Sequence, residues 1–102
     1  TLVNLNNFFP LMMSHPDIEE WQVEMRKRND DPFDLDEIYL YVATTGEVNR
    51  EKLVADIKQK VLRDTEVSLT DIIFKSVPEL VSQLGMETEL KEKRILDNRP
   101  QN

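Results

Sequence analysis

Apolar and polar positions change period several times along the chain, and each change marks an element. In "EWQVEMRK" Trp21, Val23 and Met25 alternate with Gln22, Glu24 and Arg26, and a period of two is a strand with one buried face. "EIYLYVA" repeats the pattern, with Ile38, Leu40 and Val42 on one side and Tyr39 and Tyr41 on the other. The polar "RNDDPFDLD" between them is rich in turn formers, so the two strands are most simply an antiparallel pair. The period then lengthens in "REKLVADIKQKVLRD", where Leu53, Val54, Ile57 and Val61 form one helical stripe behind Asn49, a suitable N-cap.

The flanks fill in around this centre. Leu2-Val3-Asn4-Leu5 is a short apolar stretch broken by Asn6-Asn7, and Pro10 suits the first position of a short helix over residues 10–15, stopped by Pro16. Residues 66–77, "EVSLTDIIFKSV", are β-branched and apolar enough for a strand; Asp71 interrupts the alternation and hints at a bulge, and Pro78 ends the strand. The expected order is strand, short helix, strand, strand, helix, strand. That is an α+β arrangement, the ferredoxin-like split βαβ sheet with both helices on one face. Beyond Pro78, "ELVSQLGMETELKEKRILDNRPQN" reads as an appendage with a helical turn, Gly85, a charged segment and "RILD" as a short strand or edge contact. Lys91, Lys93, Arg94 and Arg99 make a basic knot there, outside the expected core. Its bland reading is a solvated helix face or tail.

Length and composition narrow the choices. One hundred and two residues make a single domain, 39% hydrophobic and 32% charged, which is the balance of a globular protein. No apolar run approaches the roughly 20 residues of a membrane span, and no signal-peptide pattern opens the chain, so the expected address is the cytoplasm. Thr1 is followed at once by Leu2-Val3, which reads as a piece cut from a longer protein. The absence of cysteine excludes disulfides and thiolate metal sites. A formal charge of −7 disfavours binding to a phosphate backbone, so no nucleic-acid role is expected.

Candidate chemistry is sparse. His15, beside Pro16, reads as a helix-end residue. "NDD" with Asp34 and Asp36 lacks the glycine and terminal glutamate of a calcium loop. Met12, Met13, Trp21 and Met25 read as core, and with only Gly46 and Gly85 there is no glycine-rich phosphate loop. No nucleophile, base and orienting acid can be assembled. Such a domain either binds something or lends one or two residues to a site built elsewhere.

Three stretches together carry a resemblance: "NNFFP" at residues 6–10, "SHPDIEEWQVEMR" at 14–26 and "EKRILDNR" at 92–99. In order and spacing they resemble the C-terminal domain of phenylacetate-CoA ligases and their adenylate-forming relatives, over nearly the whole chain. The resemblance implies a small mobile domain beside a large N-terminal adenylation domain that binds ATP, Mg2+ and an organic acid. One pose serves adenylation, the other attack of CoA on the acyl-adenylate. It implies that Lys91 is the lysine reaching the α-phosphate during adenylation, where a cation opposes developing charge. Lys93 and Arg94 are then implied as supporting nucleotide or CoA contacts, with Asn7 and Phe9 along the path of the second pose. The chain departs from the family pattern at Met86-Glu87 (family Pro-Arg), at Thr88 and at Leu90, where the family has the glycine before its lysine. Losing that glycine removes a flexible joint.

The leading expectation is the cap of an AMP-forming ligase, inactive when isolated and binding no cofactor alone. The competing ones are a non-catalytic ferredoxin-like binding or regulatory module, and a ligase relative with another acceptor or no activity.

Overall fold

The computed structural model describes residues 5–85 and 94–100. A 3-10 turn, Leu5–Asn7, leads into α1 (Phe8–Met13); then follow β1 (Ile18–Lys27), β2 (Asp36–Thr44), α2 (Arg50–Thr65), β3 (Asp71–Phe74), α3 (Val77–Gln83) and β4 (Ile95–Asp97). The fold is α+β: three helices on a four-stranded mixed sheet in the order β3-β2-β1-β4. β1 and β2 are antiparallel, with Val23 opposite Leu40 and Met25 opposite Ile38. β3 runs parallel to β2, and β4 runs parallel to β1. α2 supplies the crossover that the parallel β2–β3 pair requires.

The strand pattern also fixes the larger core. Trp21, Val23 and Met25 of β1 and Ile38, Leu40 and Val42 of β2 pack against Phe8, Leu11 and Met12 of α1 and Leu53, Ile57 and Val61 of α2. Ile18 joins the same core. A regular strand would send Ile18 and Trp21 to opposite faces; a register shift between Ile18 and Glu20 brings both to one. The expected bulge therefore lies in β1, not at Asp71, which simply opens β3 and accepts the Ile72 N–H at 2.8 Å.

Several expected boundaries move for local reasons. α1 begins at Phe8, so Pro10 occupies its third position, where the missing N–H costs no helical hydrogen bond. Leu5 belongs to the 3-10 turn, and residues 2–4 of the expected first strand lie outside the described residues. α2 starts as expected, its Asn49 side chain accepting the Lys52 N–H at 3.1 Å. The long strand expected over residues 66–77 is divided by capping at both ends. Glu66 adopts φ 60° and its N–H closes α2 on the Leu62 carbonyl. Ser76 and Glu79 exchange side-chain-to-backbone bonds in a capping box, so Pro78 lies in the first turn of α3 rather than ending a strand.

The C-terminal region is not an appendage. α3 lies on the sheet face opposite α1 and α2, where Leu80 and Leu84, both fully buried, pack with Tyr41, Ala43, Tyr39, Ile73 and Val77. The tyrosine side of β2, read from sequence as the face away from the core, is therefore a second, smaller core. β4 is the outer neighbour of β1, as the "RILD" segment suggested. Arg94, expected in a basic knot outside the core, is 7% exposed.

Candidate functional site

Of the candidate residues of the C-terminal segment, Arg94 is among those described, and it attaches to one short stretch of β1. Arg94 immediately precedes β4, and its carbonyl accepts the Val23 N–H at 2.8 Å. Its guanidinium turns back along the strand: Nη1 donates to the Trp21 carbonyl at 2.9 Å and Nη2 lies 2.7 Å from a Glu20 carboxylate oxygen. The guanidinium carbon sits 5.4 Å from the centroid of the Trp21 ring, a cation–π placement. Phe9 meets the same indole edge-on, with centroids 5.0 Å apart and planes at 82°. Two of the residues singled out in the sequence, Phe9 and Arg94, thus converge on Trp21, itself 1% exposed.

The other end of the same segment is also held by β1. Gln22, fully buried although it occupies a polar position of the alternation, exchanges side-chain contacts with Gln83 and donates to the Gln83 carbonyl at the end of α3. On one side of residues 86–93 Gln83 is thus held by Gln22, and on the other Arg94 is held by Glu20 and Trp21. Lys91 and Lys93 lie in that interval, outside the described residues. Asn7 is exposed and lines a different cleft, of about 370 Å³, with Pro10, Leu11, Ser14 and Asp64.

A second polar cluster lies on the α3 side of the sheet. The carboxylate of Glu24 accepts from Arg26 Nη2 at 2.7 Å, from the Tyr41 hydroxyl at 2.7 Å and from Asn98 Nδ2 at 2.6 Å. The Arg26 guanidinium beside it, aided by Tyr41 and Asn98 and opposed by burial, pushes the Glu24 carboxyl down to about 2. The Tyr41 hydroxyl is moved upward by burial and by the Glu24 carboxylate. A carboxylate this well supplied with donors is a structural anion, not a base awaiting a proton.

His15 ties the α1–β1 turn to α2. Its Nδ1 accepts the Asp17 N–H at 3.2 Å, which leaves Nε2–H to donate to Asp56 at 2.9 Å. Hydrogen bonding from His15, then from Lys60, holds Asp56 below the usual carboxylate range. These residues edge an open cleft of about 450 Å³ with Asn49, Lys52 and Gln59. The acidic β1–β2 loop is internally engaged too: Asp31 accepts the Phe33 N–H, Asp34 pairs with Arg28, and Asp36 pairs with Lys27 and Arg99. Among the described residues no group of three or more His, Cys, Asp or Glu is placed to hold a metal ion. None of the helices described is long and apolar enough to cross a membrane.

Sequence reasoning named Arg94 and Phe9 but missed the roles of Glu20 and Trp21, the β1 residues that hold them, and of Gln22, which holds Gln83. The available signal was weak: a Glu-Trp-Gln run at the start of a strand, with polar side chains suited to solvent. Compared with models of known protein families and with curated proteins, the chain matches none of them.

Proposed function

We propose that this chain is the small C-terminal domain of an AMP-forming acyl- or aryl-CoA ligase. It lends Lys91 to the adenylation step and reorients for thioester formation. The whole reaction would join an organic acid to CoA at the expense of ATP, giving AMP and diphosphate, with ATP, Mg2+ and acid held by an N-terminal domain of the parent chain. The observation that supports this reading best is that Gln83 and Arg94, on either side of the stretch carrying Lys91 and Lys93, both attach to Glu20–Val23 of β1. The flexible stem and compact charge of a lysine suit a cation that a moving domain delivers to a phosphate and then withdraws.

The topology supports the finer fold reading in the same measure. The run β1-β2-α2-β3, with the sheet order β3-β2-β1 and β3 parallel to β2, matches the strand–strand–helix–strand part of a ferredoxin-like chain, with the two parallel strands paired directly where a split βαβ unit has another strand between them. We read the domain as such a ferredoxin-like derivative with β4 added on the far edge. A second reading, a non-catalytic binding module, is favoured by the cleft beside His15 and Asp56.

ATP–pyrophosphate exchange by the full-length protein over a panel of aryl and alkyl acids separates the two. Lys91→Ala should lower exchange by orders of magnitude while thioester formation from a pre-made acyl-adenylate and CoA persists. Normal exchange without Lys91 removes the lysine from the chemistry. Absence of exchange with every acid, in wild type, puts the binding module ahead.

A further inference from the structure

The sheet ends on two edges, β3 and β4, and among the described residues neither has a second strand beside it. A strand edge offers N–H and C=O groups to another strand unless charge, proline or a bulge prevents the pairing. β3 holds an unbroken register against β2 from Asp71 to Phe74 and contains no proline. The Lys75 N–H is spent on the Val42 carbonyl of β2 at 2.9 Å. Backbone groups alternate between the two sides of a strand, so those of Ile72 and Phe74 face outward. The Ile72 N–H is met there by the carboxylate of the adjoining Asp71, a local partner that a second strand can displace.

We propose that the β3 edge binds a second copy of this chain, antiparallel and about a two-fold axis at Ile73, joining two sheets into one. In that register Ile72 lies opposite the partner's Phe74, a hydrogen-bonded pair made by the outward groups just named. Both side chains belong to the larger core, Ile72 buried in it and Phe74 packed against it, so that core continues across the junction. Ile73, which packs with the second core on the other face, meets the partner's Ile73. Asp71 falls opposite the partner's Lys75, and the two-fold axis makes this pair twice. Apolar residues thus face apolar residues and opposite charges meet at both ends, the cross-strand matches that stabilise a sheet. The β4 edge fails the same construction. About an axis at Leu96, Ile95 is set opposite the partner's Asp97, an apolar side chain against a carboxylate already held by Arg99, and β4 spans three residues where β3 spans four.

Four residues a side make a small interface, and a formal charge of −7 on each copy opposes approach. The dimer is therefore weak and reversible, with a Kd of roughly 1–100 μM. Nothing in this pairing depends on the ligase reading. Sedimentation velocity of the full-length protein across that concentration range tests it, with Asp71→Lys, Lys75→Asp and the double variant alongside. Each single change sets like charges opposite each other at both ends and should weaken association roughly ten- to a hundredfold. The double variant restores both pairs and should return close to the wild-type Kd. An equimolar mixture of the two single variants also brings opposite charges together at both ends. It should form heterodimers that neither variant forms with itself, an outcome that misfolding cannot produce. A protein that stays monomeric up to about 1 mM, or an association indifferent to all three variants, overturns the proposal. So does a mixture that associates no better than its components.

Discussion

Replacing Glu24 by glutamine tests the polar cluster on the α3 face most sharply. The carboxyl is held at about 2 against an ordinary 4.5, and at about 1.36 kcal/mol per decade this gap corresponds to roughly 3 kcal/mol of stability at neutral pH. Glutamine keeps one acceptor oxygen but turns an NH2 toward donors, either Asn98 or the Arg26–Tyr41 pair, and removes the charge facing Arg26. The expected loss at pH 7 is about 2–4 kcal/mol. The pH dependence follows from the direction of the shift. A depressed carboxyl contributes fully above the unfolded-state value of 4.5 and loses that contribution as pH falls toward about 2. By pH 3 roughly 2 kcal/mol of the contribution is gone from wild type, whereas the glutamine variant has no such group to protonate. Urea unfolding followed by the fluorescence of Trp21, the single tryptophan and buried, should therefore show two stability curves that lie apart at pH 7 and approach each other at pH 3. Other carboxyls with lowered values, such as Asp36, Asp56 and Asp97, act equally on both proteins and cancel. A gap that stays constant across this range, or one below about 0.5 kcal/mol at pH 7, would refute the reasoning.

Two further outcomes follow from the packing. Leu80→Ala should cost about 2–5 kcal/mol in urea unfolding, because its fully buried side chain seals the second core against Tyr41 and Ala43; a cost under 1 kcal/mol would mean that α3 is not a packed layer. Ser76→Ala should cost about 1 kcal/mol, with Thr restoring much of it, because the hydroxyl accepts the Glu79 N–H that opens α3. Amide exchange at Glu79 should rise in the alanine variant and leave β1–β2 unaffected.

What the sequence displayed clearly was local order under a single dominant constraint. The alternation in β1 and β2 gave the antiparallel pair, and the stripe of Leu53, Ile57 and Val61 behind Asn49 gave α2, because in each case one face meets one core. It misled where a residue serves two masters. Residues 66–77 carry strand-forming side chains throughout, yet helix capping at Glu66 and Ser76 takes both ends. Gln22 and Glu24 occupy polar positions of a strand and are nevertheless buried, because α3 and Asn98 return from far along the chain to cover them. The stripe Val77, Leu80, Leu84 was a usable sign of that second layer. Candidate site residues fared in the same way: Phe9 and Arg94 were visible as types, but their shared partner Trp21 had already been explained as core and drew no further notice.

The parallel pairing of β4 with β1 has a consequence for the order in which the chain can complete itself. The β1–β2 hairpin closes locally, whereas the Val23 N–H and the Met25 carbonyl must wait for Arg94 and Asn98, and contacts so distant in sequence form late because the intervening loop must be closed first. A ribosome that has released residues through α3 but not yet β4 therefore exposes the outer edge of β1, with its hydrogen-bonding groups unpaired and the apolar Trp21–Val23–Met25 face behind them. Open edges of this kind recruit strands from other molecules. Chains cut before Arg94 would keep that exposed state permanently, so β4 acts as a stopper against self-association as much as a part of the sheet.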